Sequence, residues 1–283
     1  MASRFKKRRE ARRKREQQKI EERAKHLGYV EKRGFDKSSP VSVVLPYSDT
    51  GCEYRRASFE FIKNKWKETY PDWEVVVGEC PTTEWRKGLA ISDGLEKASG
   101  EIVIVADTDG WVDNVHETLD KLNDFVVVKP FLSTARFSDK YTNLVLKHKV
   151  NIEEVDVNEP NVCVSKPGEF ISALGGMVVS HKEVLEKIPV DPRFYNWGWE
   201  DNAWTHAVTC LAGPIYYAPG VFKHLWHPRN NDNPGKTNSI LCSMYRKARI
   251  SPEETINLIQ EGLDWRSKNV IQGQCNPHHT VRF

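Results

Sequence analysis

The stretch Ile102-Val103-Ile104-Val105-Ala106-Asp107-Thr108-Asp109 decides the fold. A β-branched run that stops at two aspartates one residue apart predicts a buried strand delivering carboxylates to its carboxyl edge. Open α/β sheets bind ligands at that edge. On an extended backbone Asp107 and Asp109 share a side, so both can face one cation, and hard carboxylate oxygens suit Mg²⁺ or Mn²⁺. Such a pair asks for a phosphate. Alone, an Asp-x-Asp is more often a polar strand end, so the flanking sequence has to decide.

Upstream, Val41-Ser42-Val43-Val44-Leu45-Pro46 predicts a first strand ending at Pro46, which has no N–H to continue a ladder. Tyr47, Ser48 and Asp49 then fall on the carboxyl edge, where a ring and a carboxylate could stack on a base and hold a ribose, or simply close a turn with Gly51. Residues 54–70 place Phe59, Ile62 and Trp66 at helical spacing, 74–78 read as a second strand, and 85–98 as a helix with Leu89, Ile91 and Leu95 inward. This alternation predicts a parallel sheet with right-handed crossovers. No Gly-x-Gly-x-x-Gly follows the first strand and no P-loop sequence occurs, so phosphate charge has to be met by metal or by side chains such as Arg86 and Lys87.

Downstream, 125–129 read as a further strand and 151–168, with Pro160 and Pro167, as a polar mobile loop. Gly175-Gly176-Met177-Val178-Val179 opens another strand, whose glycines allow a ligand close to the backbone. A short helix over 182–188 leads to Tyr195-Asn196-Trp197-Gly198-Trp199-Glu200-Asp201, two indoles around a glycine followed by adjacent acids. The pair His224-x-x-His227 can bring two imidazoles to one ion. Ser251-Pro252-Glu253-Glu254 is a capping box that starts a last helix through about Arg266.

Together these motifs, in this order over residues 41 to about 230, resemble the GT-A glycosyltransferases, especially inverting family 2 and galactosyltransferase-like enzymes. The resemblance implies a Rossmann-like α/β fold with a mixed, mostly parallel central sheet flanked by helices. It also implies a nucleoside diphosphate sugar donor, UDP favoured, with Mn²⁺ or Mg²⁺ as cofactor. Asp109 would hold the metal, Asp107 the metal or the ribose, and His224 and His227 would complete the site, His224 being preferred. Pro46, Tyr47, Asp49, Arg86, Asp107, Thr108, Gly175 and Gly176 would line the donor. Asp201 would be the base that takes the acceptor proton, with Glu200, Trp197 and Trp199 binding the acceptor. Trp199 and Trp226 also read as hydrophobic core, the safer expectation for a tryptophan. The organisation implied is a basic arm over 1–36, a transferase domain over 37–250 divided near 110 into donor and acceptor halves, and a C-terminal helix and tail over 251–283.

Charge adds a departure from that family. Of 283 residues 39% are hydrophobic, and no apolar run approaches the roughly 18 residues of a membrane span, which predicts a cytoplasmic protein without membrane attachment. Six scattered cysteines without a Cys-x-x-Cys pair predict free thiols. Residues 1–33 hold 14 Lys or Arg against 5 Glu, a net of +9, which leaves −6 on the other 250. A basic arm (4–33), helical or disordered, on an acidic body suggests a polyanionic acceptor, for instance a hydroxylated base in modified DNA. A nucleotidyltransferase would also use strand-end aspartates with metals, and a non-catalytic nucleic-acid binder would use the arm alone; the first leaves residues 197–201 unexplained.

Overall fold

The computed structural model describes residues 29–165, 173–228 and 236–271, with isolated positions Arg15, Gln18, Lys19 and Glu22 in the arm. Its centre is a six-stranded sheet in the order β2-β1-β3-β8-β5-β9, formed by β1 (Val41–Tyr47), β2 (Glu74–Glu79), β3 (Ile102–Ala106), β5 (Val127–Lys129), β8 (Met177–His181) and β9 (Tyr216–Tyr217). β1 runs parallel to β2 and β3, and β9 runs parallel to β5. β8 alone is antiparallel to its neighbours β3 and β5. The mixed, mostly parallel sheet flanked by helices is thus the architecture expected.

Burial on both faces explains the unbroken apolar runs. In β3, Val103 and Val105 enter one core with Ile91, Leu95, Trp204 and Tyr245. Ile102, Ile104 and Ala106 enter the other with Ile62, Trp66, Trp111 and Phe222. A strand with no solvent face needs no polar alternation. Helix α1 (Glu53–Thr69) covers the second face through Phe59, Ile62 and Trp66, and α2 (Lys87–Lys97) covers the first. The close approach of α2 depends on glycine, because a Cβ at Gly78 would lie 2.0 Å from the carbonyl oxygen of Ala90.

A second sheet, in the order β4-β10-β6-β7, is built from β4 (Gly110–Trp111), β6 (Ser133–Phe137), β7 (Val162–Val164) and β10 (Val221–His224). It corrects the reading of 151–168 as a loop. The described part contains a 3-10 turn at Ile152–Glu154 and then β7, which pairs antiparallel with β6. Two further boundaries differ from expectation. β1 extends through Pro46 to Tyr47, because Pro46 is paired to β2 across from Gly78 and Tyr47 across from Glu79. β3 stops at Ala106, before the aspartates.

The helices α3 (Asp139–Leu146), α4 (Lys182–Lys187), α5 (Glu200–Leu211), α6 (Lys236–Ala248) and α7 (Pro252–Arg266) complete the chain. Ser251 caps α7 by accepting from the Glu254 N–H at 3.4 Å, as the capping box predicted. Leu258 and Ile259 of α7 belong to the first core. The root of the arm packs at the edge where β3 begins, away from Asp107: the Tyr29 hydroxyl donates to the Lys187 carbonyl at 2.7 Å and Arg33 pairs with Glu183 at 2.6 Å. Nearly all of the arm, the polar stretch 230–235 and the tail after 271 lie outside the described residues. Among the described residues no helix is long and apolar enough to cross a membrane.

Candidate functional site

Because β3 ends at Ala106, Asp107 and Asp109 leave it in a turn and part company. The expectation that both face one cation is corrected here. Asp107 is captured by the glycine pair: its N–H donates to the Gly176 carbonyl at 2.7 Å and its carboxylate accepts the Gly176 N–H at 3.1 Å. The Lys87 ammonium, on the first turn of α2, lies 2.8 Å from Asp107 and 3.1 Å from Asp201. Asp109 instead faces the second sheet. Its carbonyl accepts from the Leu225 N–H at 2.8 Å, which fixes the end of β10 beside it. Its carboxylate lies 3.1 Å from His227 Nε2 and 3.8 Å from His224 Nε2.

Asp109, His224 and His227 each offer one ligand atom within 4.8 Å of the others, and among the described residues they are the one such group. One carboxylate and two imidazoles form a donor set that accepts Mn²⁺. The residues therefore fit a divalent ion. Asp107 is outside the group.

Electrostatics separate the two aspartates further. Burial pushes the Asp107 carboxyl up, Lys87 pulls it down, and Asp201 and Asp109 push it up again, with a net rise. Burial also opposes the charge of Asp109, but His224, His227 and Arg55 outweigh it and hold this carboxyl far below the usual range. The Lys87 ammonium is buried, yet Asp107, Asp201 and Glu200 hold its pKa well above normal. Burial, reinforced by Asp201, raises Glu200 to about 7. Its Oε2 is buried with no hydrogen-bond partner among the described residues.

Glu200 and Asp201 open α5, after a loop of unusual backbone. Asn196, Gly198 and Trp199 have φ of +55°, +108° and +75°, the left-handed region that costs a bulky side chain most. This loop turns its indoles outward: Trp197 is 77% and Trp199 51% exposed, so the expectation of core is corrected. Trp226 is half-buried, edge-on to Tyr54 at 4.8 Å. Gly175 lies against Asp201, where a Cβ would fall 2.4 Å from Oδ2. Gly176 sits at φ +85° beside Phe131.

Of the remaining residues predicted to bind the donor, Tyr47 stacks on Phe59 at 3.8 Å and Thr108 lies half-buried in the aspartate turn. Asp49 accepts from the Gly51 N–H and pairs with Arg56 at 2.9 Å. Pro46 is buried inside β1. Arg86 is turned away from the site: buried, it donates to the carbonyls of Pro192 and Arg193 at 3.2 and 3.0 Å and lies over the Trp265 ring. It is a strut between α2 and the C-terminal half.

Two residues near the site escaped the sequence reading. Lys129 ends β5 at the same edge as Asp107 and donates to the Ala173 carbonyl at 2.5 Å. Burial lowers its pKa to about 8 despite Asp201 and Asp107. Its place as the polar last residue of an apolar strand was the available signal. Asn238, on α6, gave none, because its partners are 40 and 43 residues away.

No family profile matches this chain, and no curated protein does. Solved structures similar to it include GalNAc-T7 with UDP, GalNAc and Mn²⁺, at 14% identity and a TM-score of 0.46, over 87% of this chain. This chain spans 59% of the length of that protein. A Drosophila beta-1,4-galactosyltransferase 7 complex with manganese, UDP-Gal and xylobiose matches at 11% identity and a TM-score of 0.43, over 71% of this chain and 79% of that one. Glucosyl-3-phosphoglycerate synthase from Mycobacterium tuberculosis, with Mn²⁺, UDP and glucosyl-3-phosphoglycerate, matches at 16% identity and a TM-score of 0.42, over 78% and 86% of the two chains.

Proposed function

We propose that this chain is a metal-dependent glycosyltransferase that moves a sugar from a nucleoside diphosphate sugar, UDP favoured, to an acceptor hydroxyl with inversion. The observation that carries this reading is the pairing of two clusters at one sheet edge. Asp109, His224 and His227 each offer one ligand atom within 4.8 Å of the others. Beside them Lys87 bridges Asp107 and Asp201.

Displacing a nucleoside diphosphate from an anomeric carbon requires stabilising the departing charge and removing a proton from the incoming hydroxyl. A divalent ion on Asp109, His224 and His227 would supply positive charge for the diphosphate. Tyr47, Asp49 and Thr108 would line the nucleotide, and Gly175 and Gly176, packed against Asp201 and Phe131, would bring backbone close to the sugar. Asp201 takes the acceptor proton. Glu200, with a pKa near 7, is about half protonated at neutral pH and can donate to an acceptor oxygen that an ionised carboxylate would repel. Trp197 and Trp199 offer exposed ring faces to the acceptor.

The deciding measurement is thermal shift and calorimetric titration of UDP, GDP and dTDP sugars, with and without Mn²⁺, on the wild type and Asp109→Ala. Metal-dependent stabilisation by one nucleotide sugar, absent from the variant, is the expected result. No stabilisation by any donor overturns the reading in favour of a nucleic-acid binder, and release of pyrophosphate in place of nucleoside diphosphate makes the protein a nucleotidyltransferase.

The +9 arm on a −6 body supports a polyanionic acceptor such as a DNA duplex carrying hydroxylated bases. Because Tyr29 and Arg33 are bonded to the body, the informative deletion is residues 1–28. It should raise the KM for a 5-hydroxymethylcytosine duplex and flatten its salt dependence, while Mn²⁺-dependent UDP binding stays unchanged. Equal kinetics with and without the arm remove the nucleic-acid acceptor.

A further inference from the structure

We propose that Asn238 is a positioning residue for the acceptor side of the site: its side-chain amide sets the shape of the 195–199 loop and thereby the aim of Trp197 and Trp199. The proposal rests on the transferase reading for what the loop does, and on geometry alone for what holds it.

Asn238 is 1% exposed on the first turn of α6. Its Nδ2 donates to the carbonyls of Tyr195 at 3.0 Å and Gly198 at 2.9 Å. These two carbonyls flank Asn196 and Trp197 within a segment that is left-handed at three of its five residues. Two convergent carbonyls require two donors on one planar atom. An amide NH₂ supplies them, and the same demand fixes which end of the amide faces the loop. The far end, Oδ1, is buried and has no hydrogen-bond partner among the described residues. An apolar side chain would leave both carbonyls without this donor, so Asn238 is explained by the carbonyls it holds.

The other ties of the loop run to the same purpose. The Asn196 N–H donates to the Trp85 carbonyl at 2.7 Å, and the Ala203 N–H donates to the Trp199 carbonyl at 3.0 Å as α5 begins. Trp199 is the N-cap of that helix yet gives it no side-chain hydrogen bond. Among the described residues the loop is thus tied to Trp85 and Asn238, and its first residue also to Arg86, whose guanidinium lies 5.4 Å from the centre of the Tyr195 ring. Donor-side residues are tied elsewhere: Asp107 to Gly176 and Lys87, Asp109 to β10.

The test compares full-length wild type, Asn238→Ala and Asn238→Ser. Hydrogen exchange is read peptide by peptide, with Mn²⁺–UDP thermal shift and transfer from UDP-glucose to a 5-hydroxymethylcytosine duplex alongside. Loss of two hydrogen bonds should speed exchange in residues 195–199 by about tenfold or more in both variants. Exchange in β1 and β3 and the UDP shift should stay unchanged, and acceptor KM should rise with kcat within a few fold. Unchanged exchange in the loop overturns the proposal, as does a rise spread evenly over the sheet, which would make Asn238 a structural residue only. If the wild type shows no UDP shift, the transferase reading fails while the exchange result still decides whether Asn238 sets the loop.

Discussion

Glu200 and Asp201 are adjacent in sequence and opposite in environment. Asp201 reaches Lys87, whereas Glu200 is buried beside it and its Oε2 has no hydrogen-bond partner among the described residues. Burial and the neighbouring charge of Asp201 lift Glu200 from 4.5 to about 7. A carboxyl whose pKa rises on folding binds its proton more tightly in the folded chain than in the unfolded one. The fold accordingly loses stability as pH climbs from about 4.5 through 7. Glu200→Gln removes that loss. In urea titrations in EDTA at pH 5 and pH 8, the wild type should fall relative to the variant by up to about 3 kcal/mol. Parallel pH profiles would show that Glu200 does not ionise across this window. At this scale the sequence was only partly legible. The acids, both histidines and both glycines could be named, but the divergence of Asp107 from Asp109 could not. It depends on where β3 stops, and that is set by Gly176, 69 residues away. The same holds for Arg86 and Lys87, since which of two adjacent cations faces the site depends on the phase at which α2 starts.

Elements were more legible than their directions. The helical stripe of Phe59, Ile62 and Trp66 and the β-branched runs of β1 and β3 specify type and burial, because period and branching act locally. Periodicity carries no direction, however, so nothing in Met177–His181 announced that β8 would run against β3 and β5. The second sheet was hidden for a related reason: its strands are two to five residues long and paired across the chain, with polar connections between them. The start of β8 is where element and site meet. Gly175 packs so closely on Asp201 that Gly175→Ala forces one of them to move. A displacement of about 1 Å at a reacting group is enough to lower turnover by on the order of a hundredfold. The expected pattern is turnover that collapses while Mn²⁺-dependent UDP binding and Tm change little. Full activity in Gly175→Ala would mean that Asp201 is not held where the reaction needs it.

At the scale of the whole molecule, the candidate metal set lies at the join between the two sheets. Asp109 follows β3 of the six-stranded sheet, whereas His224 ends β10 of the four-stranded one and His227 lies three residues beyond it. At that join Asp109 leads directly into β4, which pairs with β10, and the Asp109–Leu225 backbone bond and the pairing of Asp109 with the two imidazoles add to it. An ion bound by all three side chains ties the sheets together, and because the ligands are assembled only on folding, its binding energy adds to stability. At a hundredfold excess over Kd the gain is about 2.7 kcal/mol, a rise in Tm of roughly 5–10 °C for a chain of this size. Mn²⁺ should therefore raise the melting temperature of EDTA-treated protein even without nucleotide. Asp109→Ala and His227→Ala should abolish the rise, and Asp107→Ala should preserve it, because Asp107 stands outside the ligand set. Loss of the rise in Asp107→Ala would instead restore the arrangement in which both aspartates share one ion. That comparison distinguishes the divided pair seen in the structure from the paired carboxylates that alternation along a strand suggests.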